Sequence, residues 1–261
     1  MSAIAILCIL AIVLSITVFM VWASASIRFG VYVRAFCREK TDRKVVYLTF
    51  DDGPHPPETE RVLDVLRERG ARATFFLIGS KVSGNEAVLR RMLEEGHALG
   101  LHTYSHAGTF PLLSFDKMLA DVNEGKRAVE SVAGRKISLF RPPFGVTNPT
   151  IAKVVRTLGL QAVGWDVRSF DTMFCKSSEH SCKQSEHSCK QSGHDWYVPV
   201  VERIMKQVRP GSVILLHDRL DGASELLDLL LDSLAASGYD FTRALPNTLI
   251  SSSDSSETNL S

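Results

Sequence analysis

From Val45 onward the chain alternates short apolar runs with longer amphipathic stretches, the pattern of an α/β domain. Strands are predicted over Val45–Phe50, Ala73–Ile78, Ala98–Leu101, Ser138–Phe140, Gln161–Trp165 and Val213–Leu216. Helical periodicity fills the intervals, at about Glu58–Arg69, Glu86–Glu95, Phe115–Val132, Asn148–Leu158, Val198–Val208 and Ala223–Ala236. Several of these helices run into a glycine (Gly70, Gly96, Gly134, Gly159 and Gly238), the residue that most easily takes the left-handed conformation that ends a helix. Repeated strand-helix units of this length build either a barrel or an open parallel sheet.

Three stretches lie outside that rhythm. Ala3 to Trp22 carries no charge and is almost wholly apolar, so as a helix it spans ~30 Å, the hydrocarbon thickness of a bilayer. A membrane helix is expected. Ala23-Ser24-Ala25 offers the small residues of a signal-peptide cleavage site, but the run is long and no Lys or Arg precedes it. Ser178–Gln184 is repeated identically as Ser185–Gln191, which sets Cys175, Cys182 and Cys189 seven apart and His180, His187 and His194 likewise. Perfect identity between copies points to a tandem duplication in a tolerant surface loop; a metal site is the weaker reading, because no C-x₂₋₄-C spacing occurs. Residues 248–261 form a Ser-rich tail expected to be disordered. The expected organisation is thus a membrane helix over 1–25, a basic linker over 26–44, a catalytic domain over 45–247 with the repeat inserted at 175–194, and the tail.

Composition changes this picture little. The 261 residues are 45% hydrophobic and 23% charged, ordinary for one globular domain, and a net charge of +1 gives no electrostatic reason for a nucleic-acid partner. Five cysteines without a compact framework do not indicate a disulfide scaffold.

The candidate chemistry lies at strand ends, the edge on which α/β sheets and barrels place their sites. The first strand runs into Asp51-Asp52-Gly53-Pro54-His55, and two adjacent carboxylates repel unless a cation or a shared proton separates them. The third ends in His102-Thr103-Tyr104-Ser105-His106, two imidazoles four apart that one helical turn brings to the same side. Two His and one carboxylate make a metal triad with open positions, and the absence of a Glu between the histidines leaves Asp51 or Asp52 as the general base. Arg141-Pro142-Pro143 presents a guanidinium rigidly enough to pair with a carboxylate. Val213–Leu216 delivers His217 and Asp218, and a His there is a plausible general acid.

Taken together, Thr49-Phe50-Asp51-Asp52-Gly53-Pro54-His55, His102-Thr103-Tyr104-Ser105-His106, Arg141-Pro142-Pro143-Phe144-Gly145, Trp165-Asp166 and Leu215-Leu216-His217-Asp218 resemble, in order and spacing, the motifs of the polysaccharide deacetylase family, also called NodB-homology or carbohydrate esterase family 4. The resemblance covers about residues 44 to 245 and implies a distorted (β/α) barrel of about seven strands behind the N-terminal transmembrane helix. It implies removal of N-acetyl groups from N-acetylglucosamine-containing glycans, with Asp51 as general base, Asp52, His102 and His106 as metal ligands, and His217 as general acid. Arg141 would hold Asp51 ionised, the Phe144 amide would serve the oxyanion, and Trp165, Leu215 and Asp218 would line the substrate site. The ion implied is Zn²⁺ first, with Co²⁺, Ni²⁺ or Mn²⁺ as alternatives. One departure stands out: the family stretch W-x-x-D-x-x-D-W reads Trp165-Asp166-Val167-Arg168-Ser169-Phe170-Asp171-Thr172 here. An Arg where an acid tunes the general-acid His would lower the pKa of His217, unless Arg168 instead shares or takes over the duty of Arg141 toward Asp51.

A monomer acting on a glycan and anchored in a membrane is expected. Arg28, Arg34, Arg38 and Lys40 after the apolar run argue for a cytoplasmic domain by the positive-inside tendency, whereas the substrates of the family lie outside, which favours an extracytoplasmic one. The competing functions are a silent glycan-binding protein on the same scaffold and a deacylase of another N- or O-acylated sugar.

Overall fold

The computed structural model describes residues 2–174 and 196–247. Eight parallel strands form one sheet: β1 (Ala35–Phe36), β2 (Val46–Asp51), β3 (Ala73–Leu77), β4 (Ala98–Leu101), β5 (Leu139–Phe140), β6 (Gln161–Val163), β7 (Val167–Arg168) and β8 (Ser212–His217). Their order across the sheet is β1-β6-β5-β4-β3-β2-β8-β7. Helix α1 (Ala3–Ser24) precedes the sheet, and α2 (Glu58–Glu68), α3 (Glu86–Glu94), α4 (Phe115–Ala133), α5 (Pro149–Thr157), α6 (Tyr197–Met205) and α7 (Ala223–Ala236) connect or follow its strands.

Alternation along each strand sorts the side chains into two cores. Val46, Leu48 and Phe50 of β2, Phe75 and Leu77 of β3, and Ile214 and Leu216 of β8 join the large cluster shared with the helices. Val45, Tyr47, Phe76, Leu139, Val163 and Val213 form the second, inner cluster. Gly100 makes room for it, since a Cβ there would lie 2.5 Å from the Phe76 ring. The sheet is curled around this interior into a partial barrel: Arg141, next after β5, reaches β2 with one nitrogen of its guanidinium and Gly164, just past β6, with another. Beyond β1, Arg38 bridges Ser212 of β8 and the Glu39 amide donates to the Gly211 carbonyl, which ties the β1 margin to the strand next to the opposite margin.

Six of the strands and, among the described residues, all six helices after α1 follow the sequence pattern to within one to three residues, and Gly70, Gly96, Gly134, Gly159 and Gly238 all take positive φ, from 61° to 81°. The expected strand count of about seven becomes eight among the described residues. The two strands without a pattern of their own, β1 and β7, are two residues long and lie at the sheet margins. Residues 26–44, read as a linker, pack into the domain through buried Ile27 and Val33 and through β1. The Cys/His repeat at 175–194 falls outside the described residues, as does the tail from 248.

Candidate active site

The carboxyl ends of β2, β4, β5 and β8 converge on one edge, and each delivers a polar residue there. In β2 the inward column is Tyr47, Thr49 and Asp51, registered against Val213, Leu215 and His217 of β8. Asp51 therefore arrives beside His217 by strand pairing alone. Asp52 breaks the strand with a left-handed backbone (φ 74°), which turns its carboxylate toward the β4 loop and not the outer core. The Lys81 ammonium donates to the Asp52 carbonyl at 2.7 Å and holds that turn.

The β4 loop is shaped as tightly. Thr103 and His106 both have positive φ (68° and 48°), the Thr103 hydroxyl accepts from the His106 amide at 3.0 Å, and Asp121 of α4 accepts from the amides of Tyr104 and Ser105. α4 approaches this loop closely enough that a Cβ on Gly125 would lie 2.9 Å from the Thr103 carbonyl carbon. The two imidazoles come together with ring centroids 4.8 Å apart.

Three donor atoms face one point. His102 Nε2 lies 3.6 Å and His106 Nε2 3.4 Å from Asp52 Oδ1, and the three atoms all fall within 4.8 Å of one another. His102 Nδ1 is 2.7 Å from the Arg141 carbonyl, which only accepts, so Nδ1 carries the proton and Nε2 presents its lone pair. Burial, and next the neighbouring His102, push His106 below the ordinary histidine range. Burial would raise the Asp52 pKa, but the pull of His102, of His217, of the Arg219 hydrogen bond (Nε to Oδ2, 2.8 Å) and of His106 lowers it to about 2. One ionised oxygen and two imine nitrogens, with partners fixing His102 and Asp52 from behind, fit a divalent ion.

Asp51, adjacent in sequence, lives in another environment. Its Oδ1 accepts from Arg141 Nη1 at 2.7 Å, and the same nitrogen donates to Thr49 Oγ1 at 2.9 Å. Arg141 is wholly buried; Nη2 donates to the Gly164 carbonyl, Nε to the Val163 carbonyl, and the guanidinium stacks over Phe76 at 4.1 Å. A buried cation with four such bonds and one anion is compensated, and removing either partner would strand the other.

His217 faces Asp51 from β8, and its Nδ1 lies 2.8 Å from Asp171 Oδ1, while Asp171 Oδ2 accepts from the His217 amide at 2.9 Å. Burial opposes the charged ring, but Asp171, by charge and then by hydrogen bond, with Asp51 and Asp52 behind it, raises the pKa of His217 to about 9. A ring protonated at neutral pH, with Nδ1 held from behind, has Nε2–H to give.

These placements correct two readings. Arg168 neither reaches Asp51 nor depresses His217: its exposed guanidinium lies over the Phe170 ring at 4.6 Å, with Trp165 at 6.0 Å. The acid that supports His217 is Asp171, second in the Trp165–Thr172 stretch, and the gap at position 168 costs the ring nothing. Asp218 is not in the substrate site. It is fully buried beneath Gly53, bonded to the Thr59 hydroxyl at 2.7 Å, and burial raises it to about 6. Trp165 is half-buried and packs over Gly145, whose Cβ would meet the indole at 2.4 Å; Leu215 is buried beside Thr49; Phe144 is half-exposed in a left-handed conformation (φ 61°), its ring 5.3 Å from that of His106. Missed in the sequence were Asp171, Arg219, Lys81 and Asp121. Asp171 carried a signal, being the surviving acid of its motif; the others are separated from their partners by folds of the chain that no local pattern marks.

The chain is 33% identical over 207 residues to a peptidoglycan-N-acetylglucosamine deacetylase of Bacillus cereus, spanning 77% of this chain and 86% of that one. The chain belongs to the polysaccharide deacetylase family. The profile of that family, described as polysaccharide deacetylase, matches residues 38–163. A chitooligosaccharide deacetylase of Azorhizobium caulinodans is 32% identical over 66% of this chain and 73% of its own. Among solved structures, a mutant of a carbohydrate esterase family 4 pseudoenzyme from Bacillus anthracis, with restored enzymatic activity, superimposes with a TM-score of 0.64 at 25% identity, over 78% of this chain and 66% of that one. The polysaccharide deacetylase fold thus also occurs in a protein described as a pseudoenzyme, so the site residues, and not the fold, carry the case for activity.

Proposed function

We propose that this polysaccharide deacetylase is a working hydrolase that removes the N-acetyl group from N-acetylglucosamine units of a glycan. The observation that carries the reading is the division of labour between Asp51 and Asp52: one carboxylate is bound to a buried Arg, the other aimed at two imidazoles. Asp52, His102 and His106 would hold the divalent ion; their oxygen and two nitrogens suit Zn²⁺ best, with Co²⁺, Ni²⁺ and Mn²⁺ less matched. A divalent ion bound there polarises the acetyl carbonyl and makes a nearby water more acidic.

Asp51, bonded to Arg141, takes one proton from the attacking water as the new C–O bond forms at the acetyl carbon. The Phe144 amide would steady the oxygen on which charge develops, and Trp165 with Leu215 would shape the acetyl pocket. His217 gives its Nε2 proton to the departing nitrogen as the C–N bond breaks, which leaves a free amine and acetate. Asp171 stabilises the imidazolium until that transfer.

The catalytic unit in this reading runs from the anchor to residue 247, with α1 in a membrane and the domain outside the cytoplasm. The one helix among the described residues long and apolar enough to cross is Ile4–Ser24, of mean hydropathy 3.1. Of Arg28, Arg34, Arg38 and Lys40, two are engaged with the domain, Arg28 with the Asp166 carbonyl and Arg38 with the Pro210 carbonyl, which weakens their force as an orienting flank.

The test is acetate release from chitin oligomers, peptidoglycan and acetylated xylan, with protein stripped by a chelator and reloaded. Reloaded protein should release acetate from the first two and Asp51→Asn should not. Oligosaccharide binding without acetate would make this a glycan-binding protein; release from xylan alone would move the chemistry to esters.

A further inference from the structure

The anchor is joined to the domain without slack. Ala23, in the last turn of α1, is fully buried, and the Ser24 carbonyl accepts from the Thr147 amide at 3.2 Å. Trp22 stacks on Phe29 with ring centroids 4.3 Å apart. Ile27 is 1% exposed and lies so close to Gly164 that a Cβ there would meet it at 2.8 Å. The helix therefore does not hang on a tether: its end is part of the wall that also carries the Gly164 carbonyl bonded to Arg141.

That attachment lies beside the mouth of the site. Thr147 is three residues from Phe144, at most ~11 Å of chain, and the Phe144 ring is 5.3 Å from that of His106. Asn148, next to Thr147, donates to the Pro111 carbonyl at 2.7 Å and so fixes the adjoining β4 loop to the same corner. Exposed large apolar side chains here are Trp22 (50%) at the helix end, Phe29 (45%) in the turn after it, and Leu112 (85%) and Phe144 (52%) on the two loops that Asn148 joins. An apolar rim continuous with a membrane helix matches the chemistry of a lipid surface.

We infer that the rim formed by Phe29, Leu112 and Phe144 rests on the bilayer in which α1 is anchored, and that the substrate is an N-acetylated sugar carried on a membrane lipid. This rests on the deacetylase reading above. A glycan far from the bilayer would have to reach the mouth past the membrane, whereas a lipid-borne sugar is delivered to it already confined to two dimensions.

The experiment uses the full chain, metal-loaded, in vesicles. One substrate is an N-acetylglucosamine disaccharide coupled to a phospholipid of the same vesicles; the other is the soluble disaccharide. The parent chain should release acetate from the lipid-coupled sugar at least tenfold faster at equal bulk concentration. Inserting a Gly-Ser linker of ~20 residues between Ala25 and Ser26, together with Ala23→Asp to undock the helix end, lets the domain drift by roughly 25 Å and should erase that advantage, read as the ratio of the two rates so that any change in soluble turnover cancels. Leu112→Asp should reduce it severalfold with the same soluble control. Equal rates on the two substrates, or an advantage that survives the linker, would overturn the inference and leave the deacetylase reading intact. Acetate from neither substrate would overturn both.

Discussion

Arg141 and Arg168 stand at the carboxyl ends of two-residue strands, and both are candidates in the sequence for the partner of Asp51. They occupy opposite physical situations. Arg141 follows β5 on the inward side, where four acceptors and the Phe76 face enclose it. Arg168 ends β7 at the margin of the sheet, exposed, with aromatic rings as its neighbours. The difference teaches that a charge gains an electrostatic role from the dielectric and acceptors around it: an exposed cation is screened by water, a buried one is felt in full by the anion beside it.

The largest effect is expected at Arg141. Arg141→Met leaves Asp51 buried without its cation, so the variant should lose about 3–5 kcal/mol of stability in denaturant titrations and at least ~10³-fold in acetate release, since the carboxylate would lose the partner that fixes it in place. A milder loss would mean that another cation reaches Asp51.

Asp171→Asn comes next. His217 is raised to about 9 from 6.5, so its acid form persists across neutral pH. Without the anion its pKa falls and the ring loses its proton sooner, so the alkaline limb of kcat/KM should move to lower pH. The sign for stability agrees: the contribution of the pair is full below about 6.5 and disappears as pH rises through about 9, so parent and variant should converge in thermal stability at high pH. A pH–rate profile with an unmoved alkaline limb would remove His217 from the acid role.

Gly125→Ala is a subtler probe of the metal side. Its Cβ would press the Thr103 backbone and shift His102 and His106, and calorimetric Zn²⁺ titration should show affinity lower by roughly 10-fold, the lower bound of outer-shell effects. The smallest change is expected at the other arginine. Arg168→Ala should alter acetate release by less than about threefold, because truncating an exposed side chain removes only ring contacts; a loss comparable with that of Arg141→Met would collapse the distinction.

How much was legible in the sequence follows the same division. The strand-helix alternation, the glycine stops and the residues at the ends of β2, β4, β5 and β8 are local facts: periodicity, turn chemistry and motif spacing write them into contiguous stretches, and the metal triad with Asp51, Arg141 and His217 came with them. The edge strands β1 and β7 were not legible, since two residues held in place by neighbours need no pattern of their own. Nor was the assignment of partners. Whether Arg141 or Arg168 meets Asp51, whether position 168 or Asp171 supports His217, and whether Asp218 faces substrate or the Thr59 hydroxyl depend on which side of a curled sheet each residue faces and what lies across it. Sequence determined by itself which chemistry-bearing residues reach the sheet edge, because that is a property of short segments. Only the tertiary structure decided their protonation and pairing, because those depend on burial and on charges brought together from distant segments, such as Asp51 with Arg141, 90 positions apart.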